Sequence, residues 1–271
     1  MHTFHVPRST FRVRLFGVRL FAVVATVALV ASGCAGKNQT IPPGTTQPDK
    51  FLLDRGNEEM KDENWIAARE YFRQIVDNYP QSPLRPEAKL AIGDTYLGEG
   101  TTEALVLAAN EFREFLTFYP TNPRADYAQY KLALSHYEQM RAPERDQSET
   151  KEAIKEFEAF FERYPNSPLT PDVKKHWREA RDRLSEASYR VGLFYFRSRW
   201  YVGAIPRFRE VLKEDPGYSG RDAVYYYLAE SLARTDKKAE AIPYFERLLK
   251  EFDQSEFRAD AQKRLEELKA Q

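Results

Sequence analysis

The chain is 271 residues long, with 41 Lys and Arg against 41 Asp and Glu, 42% hydrophobic residues and 30% charged ones. That balance excludes a nucleic-acid binder working through bulk positive charge, a largely disordered chain and a polytopic membrane protein. A single cysteine excludes an intrachain disulfide and a Cys-rich metal site.

In chain order, the first predicted element is a secretory signal over residues 1–33. Arg8, Arg12, Arg14 and Arg19 make a basic start with no acid among them, and the apolar run from Leu20 to Ala31 follows. Such a run has the length of a signal core and is short for a bilayer span. Setting these four arginines aside leaves 37 basic residues against 41 acidic, so the rest of the chain is mildly acidic. The lone Cys34 comes directly after Ser32-Gly33. This resembles a bacterial lipobox, with Ala31 where leucine is commonest, and the resemblance implies acylation of Cys34, palmitate included. The plainer alternative is an ordinary signal peptide cut near Gly33 or Ala35. Acyl chains at about 0.8 kcal/mol per buried CH₂ hold a body on a membrane when several act together. Ala35 in place of an aspartate resembles the pattern sorted to the outer membrane of a Gram-negative bacterium. Residues 34–48, polar with Pro42-Pro43-Gly44, are expected to be a flexible tether.

From residue 49 to 269 the chain repeats itself, and repeats take precedence over other fold signals. Helices are predicted at 49–60 and 64–79, carrying Gly56, Ala68, Phe72 and Pro80. A second pair at 86–97 and 103–119 carries Ala108, Phe112 and Pro120, with extra residues near Gly98-Glu99-Gly100. The third pair, 123–140 and 149–164, carries Ala153, Phe157 and Pro165, with an insert at 141–149. One long helix, 171–198, contains Gly192 and leads into 201–214 with Ala204, Phe208 and Pro216. The fifth pair, 219–234 and 238–252, carries Ala229, Ala241, Phe245 and Asp253, and a capping helix is predicted at 255–269. The Ala-x3-Phe-x7 spacing is the same in all five copies. An alanine and a phenylalanine four apart share one helical face, and the proline ends the helix. A small residue twelve before the alanine (Gly56, Gly192, Ala229) lets the preceding helix approach closely. This is the tetratricopeptide-repeat pattern, so the expected fold is all-α: a solenoid of about five helix pairs with a C-terminal capping helix. Pro86, Pro123 and Pro171 are placed in first turns, where proline is tolerated.

No catalytic constellation stands out, and the chain is expected to be non-enzymatic, with no cofactor and no metal. His136 and His176 stand alone on predicted helices without an HExxH pattern, so each is read as a packed or surface histidine. Gly98-x-Gly100 lacks a preceding strand and a third glycine. Carboxylates are expected to pair along helices, as Glu152 with Lys155. Most of the aromatics belong to helix interfaces, but Phe194-Tyr195-Phe196 with Trp200-Tyr201 cannot all face inward on a helix, so some are expected at a contact surface.

Tyr119-Pro120-x-Asn122-Pro123 leading into Asp126-Tyr127-x2-Tyr130 is similar to the BamD (ComL) family of outer-membrane assembly lipoproteins. So is Arg163-Tyr164-Pro165-Asn166-Ser167 followed by the long charged helix with Asp182-Arg183-Leu184. The uneven repeat spacing matches that family as well. The resemblance implies a scaffold on the periplasmic face of the outer membrane, held by its lipid anchor. It also implies recruitment of the barrel-forming assembly subunit, other assembly lipoproteins and unfolded outer-membrane proteins, with no nucleic-acid partner. The amino-terminal repeats would face substrate and the carboxyl-terminal half the barrel subunit. Another envelope repeat lipoprotein, serving pilus assembly or cell-envelope coordination, is the alternative in the same class; a cell-wall enzyme docking through its repeats is the alternative in another.

Overall fold

The structure is a computed structural model, and it describes residues 41–270. Residues 1–40, with the expected signal and Cys34, lie outside the described residues. Among the described residues the chain forms eleven helices and no strand: α1 Pro48–Lys61, α2 Trp65–Asn78, α3 Arg85–Glu99, α4 Thr102–Phe118, α5 Ala125–Tyr137, α6 Ser148–Arg163, α7 Thr170–Arg197, α8 Tyr201–Glu214, α9 Arg221–Ala233, α10 Lys238–Glu251 and α11 Arg258–Lys269. Each helix packs mainly on the one before and the one after it, the quasi-linear arrangement of a repeat solenoid. Pro48, Pro86 and Pro171 open α1, α3 and α7, where the missing N–H costs nothing. Pro123 differs from expectation: α5 starts at Ala125, so this proline lies in the preceding turn. Pro206 and Pro243 sit inside α8 and α10, near their starts.

Ala68, Ala108, Ala153, Ala204 and Ala241 are fully buried, and so are Phe72, Phe112, Phe157, Phe208 and Phe245. Burying each phenylalanine stabilises the fold by about 1.5–3 kcal/mol. A further position recurs three residues after the phenylalanine, where Ile75, Phe115, Phe160, Val211 and Leu248 are also buried. It completes an i, i+4, i+7 stripe on every second helix of a pair.

The turn inside each pair explains the spacing. Glu63, Gly100, Arg199 and Asp236 adopt left-handed backbone, with φ of 57°, 68°, 60° and 61°. After three of them a backbone bond reaches back five residues: Asn64 to Glu59 (2.8 Å), Trp200 to Tyr195 (2.9 Å) and Lys237 to Leu232 (2.9 Å). These are Schellman-type helix ends. In the second pair three extra residues follow Gly100, and they lengthen α4 by almost a turn, Thr101 capping it through Ala104 N–H at 3.2 Å. In the third pair the insert forms a true loop between α5 and α6.

Three of the turns that follow a pair share a clasp. Ser82, Ser167 and Ser255 each accept the N–H two residues on, from Leu84, Leu169 and Phe257. Each also donates its hydroxyl, at 2.6 Å, to an aspartate in the first turn of the pair's first helix: Asp49, Asp126 and Asp222.

The buried side chains form three clusters. One spans α1–α4 with Ala128 and Leu132 of α5. A second joins α5, α6 and the first half of α7 through Ala133, Phe157, Val173 and Ala180. The third runs from Tyr189 of α7 to Leu268 of α11. The 28-residue α7 therefore belongs to two cores. Residues 41–47 correct the expected tether, which was to reach residue 48. Ile41 packs against the first cluster and Thr45 closes a turn onto the Pro42 carbonyl, because an apolar side chain beside exposed core gains by burial.

Candidate interaction surface

The small residues of the repeats meet aromatic rings. A Cβ built on Gly56 would collide with the Phe72 ring; on Gly192 it would lie 2.7 Å from Phe208 Cε1. The nearest atoms at both are ring carbons of the phenylalanine rather than the alanine. Gly93 is in the same situation, 2.7 Å from Phe112 Cε1, and was not among the expected residues. It stands fifteen residues before Ala108 instead of twelve because of the three residues added to α4. Ala133 and Ala229 are fully buried in the clusters of Phe157 and Phe245. The missing signal was there to be read: each small residue of pairs one, two, four and five stands seven residues before the left-handed residue.

His136 Nδ1 lies 2.7 Å from a Glu149 carboxylate oxygen. His176 Nδ1 faces the Asp172 carbonyl at 2.9 Å and the Tyr130 hydroxyl at 3.2 Å. Each is held by neighbours in its own helix layer. Among the described residues no group of three or more His, Cys, Asp or Glu is placed to hold a metal ion. No described helix is long and apolar enough to cross a membrane. Glu152 and Lys155 pair at 2.9 Å on the exposed face of α6.

The long helix is tied to the following turn by charge. Asp215 is buried and accepts hydrogen bonds from Arg178 and, at 2.7 Å, from the Ser185 hydroxyl. Burial pushes its carboxyl up, but the hydrogen bonds from Arg178 and Ser185 and the charges of Arg178 and Arg181 outweigh that and hold it below the usual carboxylate range. Asp182 accepts from both N–H (3.0 Å) and hydroxyl (2.6 Å) of Ser219, and Glu186 from the Tyr218 hydroxyl. These contacts hold the middle of α7 against the turn after α8.

The last turns of α7 carry the exposed aromatics. Successive residues on a helix point about 100° apart, so the three consecutive rings separate. Phe196 turns inward onto Tyr227, at a centroid distance of 4.9 Å, and onto Tyr201 at 5.3 Å. Tyr195 stands edge-on between Phe194 (5.8 Å) and Trp200 (4.9 Å). Phe194 and Trp200 are 66% and 57% exposed, and Val202, at the start of α8, 67%. Gly203 is what lets the Trp200 ring lie on the helix, since a Cβ there would be 2.7 Å from it. Tyr195 divides two hollows. The one on the α8 side, about 390 Å³, is walled by Tyr195, Trp200, Val202, Pro206 and Arg207. A Trp–Tyr–Arg wall around an apolar hollow is the composition of binding hot spots, and contiguous exposed apolar groups of this kind mark contact sites.

Comparison with known proteins extends the picture. The family model described as outer membrane lipoprotein, YfiO, matches residues 45–238, and a tetratricopeptide-repeat model matches residues 223–255. A curated relative from Caulobacter vibrioides, called outer membrane protein assembly factor BamD, is 28% identical over 222 residues, which cover 80% of this chain and 72% of that one. A protein of the same name from Xylella fastidiosa strain Temecula1 is 25% identical, covering 73% of this chain and 70% of its own. One from Helicobacter pylori is 28% identical over 163 residues, 60% of this chain and 72% of the relative.

Proposed function

This chain belongs to the YfiO family of outer membrane lipoproteins, and from that we propose that it is an outer-membrane protein assembly factor: a tetratricopeptide scaffold that recruits partners and breaks no bonds. The shared name of its relatives supports the assembly role. The finer reading is that acylated Cys34 holds the solenoid on the periplasmic face of the outer membrane. There the carboxyl-terminal half docks on the barrel-forming assembly subunit alongside other assembly lipoproteins, and the amino-terminal repeats receive unfolded barrel substrates.

The observation that carries the docking half is the exposed Trp200–Val202 face of α8. Its side chains are apolar and preorganised, with Trp200 braced by Tyr195 and seated on Gly203. Binding there loses little side-chain entropy, which is where rigid aromatic anchors gain their affinity. Arg207 at the edge, paired with Glu210 at 3.3 Å, gives the apolar face a polar rim that orients a partner. Affinity capture from detergent-solubilised envelopes tests this. The wild-type chain should recover the barrel-forming subunit. The Trp200→Ser/Val202→Asp variant should recover at least about tenfold less with an unchanged thermal melt. Undiminished capture by the variant would refute the face, and absence of the barrel subunit from both would refute the partner.

A further inference from the structure

The second hollow, on the other side of Tyr195, belongs to the insert between α5 and α6. That loop folds on itself, the Gln147 amide donating to the carbonyls of Ala142 (2.9 Å) and Arg145 (3.0 Å). It is strapped to α7 at two points: Arg183 donates to the Arg141 carbonyl at 2.8 Å, and Glu144 pairs with Arg190. Loop, α6 start and α7 enclose a groove of about 550 Å³, within the range of ligand and peptide sites. Its α7 wall is Leu184, Ala187, Val191 and Phe194, an i, i+3, i+7, i+10 stripe on one helical face. From Leu184 to Tyr195 the helix rises roughly 17 Å, the length of about five extended residues.

The rim is basic. Arg145 and Lys151 line it and are exposed, and the ion pairs of this region among the described residues, His136–Glu149, Lys155–Glu152 and Arg190–Glu144, use neither. The one carboxylate in the lining, Glu144, is engaged by Arg190. An apolar floor under two unneutralised cations selects for the opposite: carboxylates at the edges and a bulky apolar side chain between them. We propose that this groove binds a short, extended, acidic segment of a partner protein, anchored by an apolar side chain against Val191 and Phe194 and held by Arg145 and Lys151. The site is distinct from the α8 face and stands whether or not that face receives the barrel subunit.

The test is fluorescence anisotropy of the full chain, in mild detergent, with labelled acetyl-Asp-Phe-Glu-Leu-Glu and with its counterpart in which lysines replace the acids. The acidic peptide should bind at least about tenfold tighter and weaken as salt screens the rim. Arg145→Glu/Lys151→Glu should reverse the preference. Phe194→Ser should weaken the acidic peptide at least about fivefold, with an unchanged melt because the ring is largely exposed. Lys250→Glu, a charge change on exposed α10, should leave binding as it was. Equal affinity for the two peptides, or a preference that survives the double reversal in a folded variant, would overturn the proposal. So would self-association of the chain that the same variants abolish while neither peptide binds, which would assign the groove to a second copy.

Discussion

Gly93 shows what a single position contributes to this architecture. Phe112 is fully buried, so its ring has no direction in which to yield, and the Cβ of an alanine at residue 93 would sit 2.7 Å from it. Overpacking of this kind costs about 1–3 kcal/mol, against a small gain in helix propensity from removing a glycine. Gly93→Ala should therefore lower the thermal midpoint by several degrees, a loss of about 1–3 kcal/mol in chemical denaturation. A neutral or stabilising result would mean that α3 and α4 do not cross where the structure places them. The glycine escaped the twelve-residue spacing that found Gly56 and Gly192. Three residues added on the far side of the turn displaced the alanine from it while leaving the glycine–phenylalanine contact intact.

At the scale of an element, α7 is held by its charges as much as by its apolar stripe. Its middle is too charged to bury freely, and Arg178, Asp182, Ser185 and Glu186 instead grip the turn after α8 through Asp215, Ser219 and Tyr218. Asp215 is the centre of this grip. Its folded carboxyl is held below the unfolded value of about 3.9, so the stabilisation is fully present above that value. It is lost as pH falls through the folded pKa. Asp215→Asn leaves Arg178 half-satisfied and should destabilise the chain by about 2–4 kcal/mol at neutral pH. The difference between variant and wild type should shrink as the pH is taken below about 4. Denaturant titrations at pH 7 and pH 3 measure both; an equal difference at the two values would remove Asp215 from the account. Nothing in the repeat pattern marks this aspartate, because its partners lie 30 and 37 residues away along the chain.

For the whole molecule, the described residues are joined by three cores in series, with α7 passing through two of them. At the far end Glu230, buried, is gripped by Arg234 at 3.0 Å and by Arg264 of α11 at 2.5 Å, which closes the last apolar face with a charged helix. At the near end, Ile41 packs on the first core, and Cys34 precedes it by seven positions in the sequence. The proposed anchor is tested directly there. Cys34→Ser should abolish metabolic labelling with palmitate and shift the chain from membrane to soluble periplasm on fractionation. Retention of the variant with the membrane would remove lipid as the attachment.

The order of the helices, the repeat unit and its buried Ala–Phe face were legible from residue spacing alone. Those features rest on contacts four or seven residues apart, and the helix itself enforces that geometry. The division of the aromatics at 194–196 into inward and outward rings was half legible. Periodicity forbids all three from being buried, but only packing against Tyr201, Tyr227 and Trp200 decides which two remain near the surface. What tertiary structure alone decided is everything set by distant partners. The serine–aspartate clasps between pairs, the burial of Asp215, the docking of Ile41 and the basic groove under the α5–α6 loop all join residues that no local period relates. Their energies appear only once the chain has brought them together.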